Sequence, residues 1–413
     1  MKIKSLLLGS AAAMLAVSGA SAADAIVAAE PEPVEYVRVC DAFGAGYFYI
    51  PGTEICLRIS GEARLRVYAN EHDAELTAGS LVPPGSVVGV TGADQDSYTT
   101  AVRARVNFQA KQDTELGVLE SYIRLQGEND GGGDGAVSVD QAWVQLNNLF
   151  FGYHESAWVT STNGGKSGFG AHGIFDGSFG YQQRNLIQYQ FTGANWFGAV
   201  SVEDDKDGTT YMPDVVGRLG FVVGGVTVFG VVGYDQDNGV TIPALQSPFP
   251  VGIAGLFPPL PVPAAAGAGS SEVGVKLGLN TDIGAAGNLR VQGFYATGST
   301  AYGANLSFLG IGWTPEWSVL ASYSHSISPE FDVYVNGQYF SDFYFVGTGT
   351  STNLDAWRVA GGGSWSPVDN FAVTAEVQYV DVDDLNTGFA AADDPVNAVT
   401  ENWNFVFEMK RTF

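Results

Sequence analysis

The chain has 413 residues, 46% of them apolar, yet only 15% are charged, against about 25% in an ordinary soluble domain. Its 44 acids against 19 bases leave a formal net charge of -25, which excludes nucleic acid as a partner because phosphate binding needs a Lys/Arg surface that releases counterions. The 25 Phe, 18 Tyr and 8 Trp exclude a disordered chain, and with 54 Gly they suit a sheet that faces lipid on one side.

Residues 1–22 read as a secretory signal peptide: Lys2 and Lys4 form a basic head, 6–17 an apolar run, and Ala20-Ser21-Ala22 an A-x-A cleavage site. The apolar run is too short to span a bilayer as a helix, which takes about 20 residues. Removing the signal leaves 17 bases against 44 acids, a formal -27. The two cysteines, Cys40 and Cys56, bracket a stretch with Gly44, Gly46, Pro51 and Gly52. In an exported chain that arrangement predicts a disulfide closing a looped segment. The expected organisation is a signal over 1–22, an N-terminal periplasmic segment with the disulfide over 23–56, and a barrel over 57–413.

From Leu57 onward the hydropathy alternates with period two. In 57–68, Leu57, Ile59, Ala63, Leu65 and Val67 alternate with Arg58, Ser60, Glu62, Arg64 and Arg66. In 98–112, Val102, Ala104, Val106 and Phe108 alternate with Arg103, Arg105, Asn107 and Gln109. A soluble sandwich shows the same alternation. Strand number and turn asymmetry favour a membrane barrel: about 16 strands of roughly 10 residues are joined alternately by short and long connections. Short connections are expected at 113–116, 193–196, 328–330 and 366–370, and the Gly-rich 219–233 reads as two strands around Gly224-Gly225. Long connections, facing outside, are expected at 69–97, 154–183, 236–271, 298–316, 341–355 and 383–401. The stretch 243–263 holds seven of the 17 prolines and either folds onto a neighbour or stays solvated. The chain ends on an alternating strand in which Trp403, Phe405, Phe407, Met409 and Phe413 share one face, with Arg411 interrupting it as an arginine that reaches the membrane interface.

The stretch from Pro33 to Arg58, which includes Tyr36, Cys40, Gly44, Tyr47 and Cys56, resembles the general porins of alphaproteobacteria, as do Tyr211-Met212-Pro213-Asp214 and the closing Lys410-Arg411-Thr412-Phe413. The resemblance implies an all-β fold, a transmembrane antiparallel β-barrel of 16 strands with an inward-folded third outer loop, assembled as a homotrimer in the Gram-negative cell outer membrane. It implies passive diffusion of small hydrophilic solutes and ions through a water-filled channel. Phe413 would be the assembly signal read by the barrel assembly machinery, and lipopolysaccharide and outer-membrane lipid the surrounding partners. A closed or substrate-specific barrel, acting as a binding protein or adhesin, is the alternative.

The scarce bases then become the informative residues. Arg58, Arg64, Arg66, Arg103, Arg105 and Arg124 lie on the polar face of the early strands, and Arg184 is expected to join them in a pore-lining wall. They also have Glu62, Glu120 and Glu128 within reach as cross-strand partners. The third loop offers few acids, Glu155 and Asp176, so the constriction should be less cation-selective than the net charge suggests. The acid clusters Asp204, Asp205 and Asp207, Asp381, Asp383 and Asp384, and Asp393 and Asp394 read as solvated loop charge rather than a metal site. Neither G-x-S-x-G nor H-E-x-x-H occurs. The only histidines, His72, His154, His172 and His325, stand at outer connections or a strand end, and no enzyme activity or cofactor is expected.

Overall fold

The computed structural model describes residues 38–76, 95–131, 135–159, 170–205, 211–236, 271–308, 311–344, 349, 351, 354–382 and 398–413. The signal segment 1–22, the Pro-rich stretch 243–263 and the acids Asp207, Asp383, Asp384, Asp393 and Asp394 lie outside them.

Sixteen antiparallel strands close into one barrel. In chain order they are β1 (Cys56–Leu76), β2 (Gln95–Thr114), β3 (Gly117–Asn129), β4 (Ser138–Leu146), β5 (Leu149–Glu155), β6 (Gln183–Thr192), β7 (Trp196–Glu203) and β8 (Asp214–Val223). Then follow β9 (Val226–Asp235), β10 (Glu272–Ile283), β11 (Gly287–Ala296), β12 (Pro315–Ser328), β13 (Phe331–Phe343), β14 (Ala356–Val368), β15 (Phe371–Val382) and β16 (Ala398–Thr412). Each strand pairs with its sequence neighbour, and β16 pairs with β1 from Ala398↔Leu76 to Thr412↔Glu62. Closure leaves no free edge, so the backbone donors and acceptors of the wall pair strand to strand where water is absent, apart from register shifts at Arg124/Leu125, Ser326/Ser328 and Trp365/Val368.

Burial decides which solvent the two faces meet. On the outward face, apolar side chains are exposed: Val102 51%, Val200 52%, Ile187 61%. On the other face the buried residues include charged ones, with Arg64 at 5% and Lys276 at 0%. A soluble sandwich would bury the first set and expose the second, so the inversion identifies the apolar face as lipid-facing. Near the outer ends of β12 to β16, Trp317–Tyr339 (5.3 Å), Trp357–Tyr379 (5.1 Å) and Tyr379–Trp403 (4.8 Å) form a belt of touching rings, the residue type that settles at a membrane interface.

Short turns join the strands at one end, and Gly224-Gly225 is the hairpin turn expected from sequence. Both glycines have positive φ, 60° and 85°, as a two-residue turn matched to strand twist requires. At the closure, Phe413 N donates to Gly61 O and Gly61 N to Phe413 O. A Cβ on Gly61 would stand 2.6 Å from the Phe413 ring, so the terminal phenyl seats on a bare backbone. Arg411 donates to the turn carbonyl of Asp369 at 2.7 Å, which ties this interfacial arginine to the short-turn end.

Several boundaries differ from expectation. The first long connection does not begin at Ala69: β1 runs to Leu76 and β2 begins at Gln95. The polar sequence 69–76 carries no apolar alternation, because a strand of 21 residues exceeds the 9–11 or so that cross a bilayer and its far end needs no lipid face. Two further long connections, 130–137 and 204–213, bring the total at that end to eight. His72 and His154 lie within β1 and β5.

The disulfide forms between Cys40 and Cys56, with Cα atoms 5.9 Å apart. The N-terminal segment adds a short strand, Phe48–Tyr49, to the start of β1. It packs Tyr47 beneath Arg58, whose guanidinium lies 4.9 Å from the ring.

Candidate pore-lining site

Even-numbered residues of β1 share the polar face with odd-numbered residues of β2 and even-numbered residues of β3, because the register pairs Glu62 with Arg105, Arg64 with Arg103 and Arg103 with Glu128. Pairing Arg64 directly with Arg103 is repulsive by itself; carboxylates on either side compensate. Glu62 meets Arg103 at 2.6 Å and Arg105 at 4.0 Å. Glu128 meets Arg64 at 3.1 Å, and Glu408 of β16 meets Arg66 at 2.6 Å and Arg64 at 3.9 Å. Asp140 of β4 meets Arg105 and Arg124 at 3.4 Å each. Arg58 donates to Gln109. The result is a charge ladder across β16, β1, β2, β3 and β4. Among the described ion pairs of this wall seven bases meet five carboxylates, Lys111 pairing with Glu120 and Lys410 with Glu408. Glu120 thus serves a lysine and Gln109 rather than an arginine.

Arg184 does not stand among them. It is held at the opposite end of the sequence run, donating to Asp204 O at 2.9 Å, with Asp214 at 4.0 Å and the Tyr302 ring at 5.7 Å. There Tyr302 donates to Asp214 at 2.9 Å and Glu203 at 3.3 Å, while Thr300 donates to Asp235 at 2.7 Å. These buried acids at the outer ends of β7 to β9 anchor the connection 297–314. Alternation places Arg184 on the same face as the ladder but says nothing about its position around the barrel.

The connection 156–182 is held by a second set of bases that sequence reading passed over. Arg218 (β8) and Lys276 (β10) donate to the carbonyls of Ala157 and Trp158. Arg290 (β11) donates to Gly170 O at 3.3 Å, and Arg358 (β14) to Phe175 O at 2.9 Å. Glu376 (β15) accepts from the amides of Ile174 and Phe175, and Gln338 (β13) exchanges two bonds with the Ser178 backbone. Every one of these side chains is on the polar face. Each base sits singly in a Gly/Val-rich strand, so only strict alternation, without clustering, could have flagged it. Gly173, at φ 102°, permits the approach: a Cβ there would fall 2.3 Å from the Tyr334 ring.

Asp176 lies in this connection beside Arg358, and burial nevertheless raises its pKa to about 6; Arg66 of the ladder also acts on it. His172, bonded to Ser322 and Asn288, is pushed down to about 4 by burial and by Arg290. Glu155 ends β5 and acts, with Asp140, on the Tyr181 hydroxyl, whose pKa is raised chiefly by desolvation.

A closed antiparallel barrel with an apolar outside, an aromatic belt and a polar, charge-lined inside is an outer-membrane channel. A family profile described as a porin subfamily matches residues 24–406. The chain belongs to that porin family. It is 41% identical over 262 residues to porin Omp2b of Brucella melitensis, covering 57% of this chain and 67% of that protein, and the same figures hold for Omp2b of Brucella suis. Among solved structures the fold is similar to the channel DcaP of Acinetobacter baumannii (TM-score 0.60, 12% identity, covering 88% of this chain and 99% of that one). It is similar also to OmpF of Salmonella typhi (0.55, 11%, 87% and 98%) and to an anion-selective porin of Comamonas acidovorans (0.53, 13%, 87% and 100%). The protein is a multi-pass β-barrel of the Gram-negative outer membrane, a channel for passive diffusion.

Proposed function

We propose that the described residues of the connection between β5 and β6, 156–159 and 170–182, fold into the lumen and that solutes pass between them and the charge ladder of β16 to β4. The observation that carries this reading is the partition of the polar face: bases on β8, β10, β11 and β14 bond to backbone carbonyls of the connection, whereas the arginines of β1 to β3 bond to side chains of the wall. Arg58, Arg64, Arg66, Arg103, Arg105 and Arg124 then line the passage, and Glu155 and Asp176 flank it. Arg184 belongs to the outer mouth.

The field at a constriction depends on charges within about 8–10 Å, because more distant ones are screened at physiological salt. The base-rich wall therefore outweighs the acid excess of the outer connections, and the pore is less cation-selective than its total charge. Reversal potentials across a planar bilayer in a KCl gradient test this. The double variant Arg64→Ala, Arg103→Ala should shift selectivity toward K+; strong cation selectivity in the unaltered protein, unchanged in the variant, contradicts it. Liposome swelling with sugars of increasing size separates an open channel from a closed binding barrel.

The same reading takes the protein as a homotrimer, as in the trimer form of Vibrio cholerae OmpT, exported by a signal over 1–22 and recognised for assembly through Phe413. Lipopolysaccharide is its outer-leaflet neighbour, and transport, not catalysis, is its activity.

A further inference from the structure

Beneath the third connection lies a cavity of about 450 Å³, roofed by residues 170–176 and walled by the short-turn ends of β11 to β14. Its lining combines His172, Asp176, Arg290, Ser324, Asp332 and Tyr334. We infer that it is a solute subsite for a neutral, polyhydroxylated molecule, a mono- or disaccharide, beside the main passage. The inference rests on the channel reading above and adds a site of affinity to it.

Three observations carry the assignment. The volume falls within the range of pockets that enclose small ligands, about 300–1,000 Å³. The lining is dense in hydrogen-bonding groups of both kinds: Ser324 and the neighbouring Ser326 supply hydroxyls, Asp332 accepts from Ser326 at 2.5 Å, and the Tyr334 ring offers an apolar face. Such a face suits the C–H side of a sugar ring, while planar charged groups take its hydroxyls.

Arg290 is also left with unused bonding capacity: it spends one nitrogen on Gly170 O, while its Nε is buried without a hydrogen-bond partner. An unpaired buried polar atom is costly, and a group bonding there would remove that cost. Charge disfavours an ionic ligand. An anion approaching Arg290 meets Asp176 and Asp332, and a cation approaching those carboxylates meets Arg290.

The experiment is ion current through the purified full-length protein in a planar bilayer, with maltose and, separately, sodium acetate added from either side. Maltose should produce concentration-dependent current block that saturates, whereas acetate should not. Asp332→Asn and Ser324→Ala, neither of which touches the charge ladder or bonds to the connection 156–182, should each weaken the maltose effect about tenfold, as loss of one or two hydrogen bonds does, with KCl conductance retained. Linear, non-saturating passage of maltose overturns the subsite while leaving the channel intact. So does wild-type block in both variants, or block by acetate alone. Absence of KCl conductance in the unaltered protein overturns the channel reading and the subsite together.

Discussion

His172 and Asp176, four residues apart in one connection, respond to acid in opposite directions. Asp176 ionises near 3.8 in an open chain and near 6 when docked, so docking is favoured with its carboxyl protonated. That contribution is full below about pH 4 and is lost as pH rises through 6. His172 titrates near 6.5 in an open chain and near 4 when docked, so its contribution is full above 6.5 and is lost as pH falls through 4. Arg358, Glu376 and Arg290, which act on these two groups, are the same in both variants below. The two effects oppose, and anchoring of residues 170–182 should change little between pH 6 and 4. Each single variant exposes the other group. His172→Gln should anchor more tightly as pH falls from 6 to 4, and Asp176→Asn more loosely as pH falls from 6.5 to 4. Hydrogen exchange of the backbone amides of 170–182, corrected for intrinsic rate, measures this; slopes of the same sign in both variants refute it.

Among the elements, the N-terminal segment depends most on one covalent bond. Its hydrogen bonds are mostly internal to the loop, among them Cys40 N to Tyr47 O, Tyr49 N to Arg38 O and Ile50 N to Ile55 O, each 2.9 Å. Closing a loop of 16 residues' separation restricts the open segment by about 3 kcal/mol in the chain-entropy model, which is about a hundredfold in a local opening constant. The double variant Cys40→Ser, Cys56→Ser should raise exchange at the Tyr49 amide by about two orders of magnitude, with the amides of β2 to β15 unaffected; an unchanged Tyr49 rate would show that packing of Tyr47 under Arg58 suffices. This bond was readable in sequence because two cysteines in an exported chain leave one pairing. The strand pattern and Gly224-Gly225 were readable because lipid on one side and water on the other write hydropathy at period two. Strand ends were less so: 69–76 pairs with its neighbours beyond the lipid, and backbone pairing without a lipid face leaves no period-two apolar signature. The site divided the same way. Arg64 and Arg103 stood out as a cluster, whereas Arg218, Lys276, Arg290 and Arg358 are isolated in sequence and meet only because the barrel closes.

For the whole molecule, inversion of burial makes the two faces of one strand obey different rules. Val200, at the middle of β7 and 52% exposed, faces hydrocarbon, where an arginine costs about 2–4 kcal/mol near the bilayer centre because no water or partner charge can solvate it. Asn404 of β16 lies on the inner face, bonded to Gln378 at 3.4 Å and near the ladder that ends at Glu408. Val200→Arg should lower the midpoint of urea unfolding in phospholipid vesicles by that free energy and leave selectivity nearly unchanged in the fraction that folds. Asn404→Lys should do the reverse: stability within about 0.5 kcal/mol of the parent, as for a surface substitution that buries no charge, with reversal potential shifted toward anions by the added cation. Equal destabilisation by both variants would mean that the polar face is a dry core and the barrel has no continuous water path. A shift toward anions with stability intact requires water and field in the same space, which is the physical content of a pore.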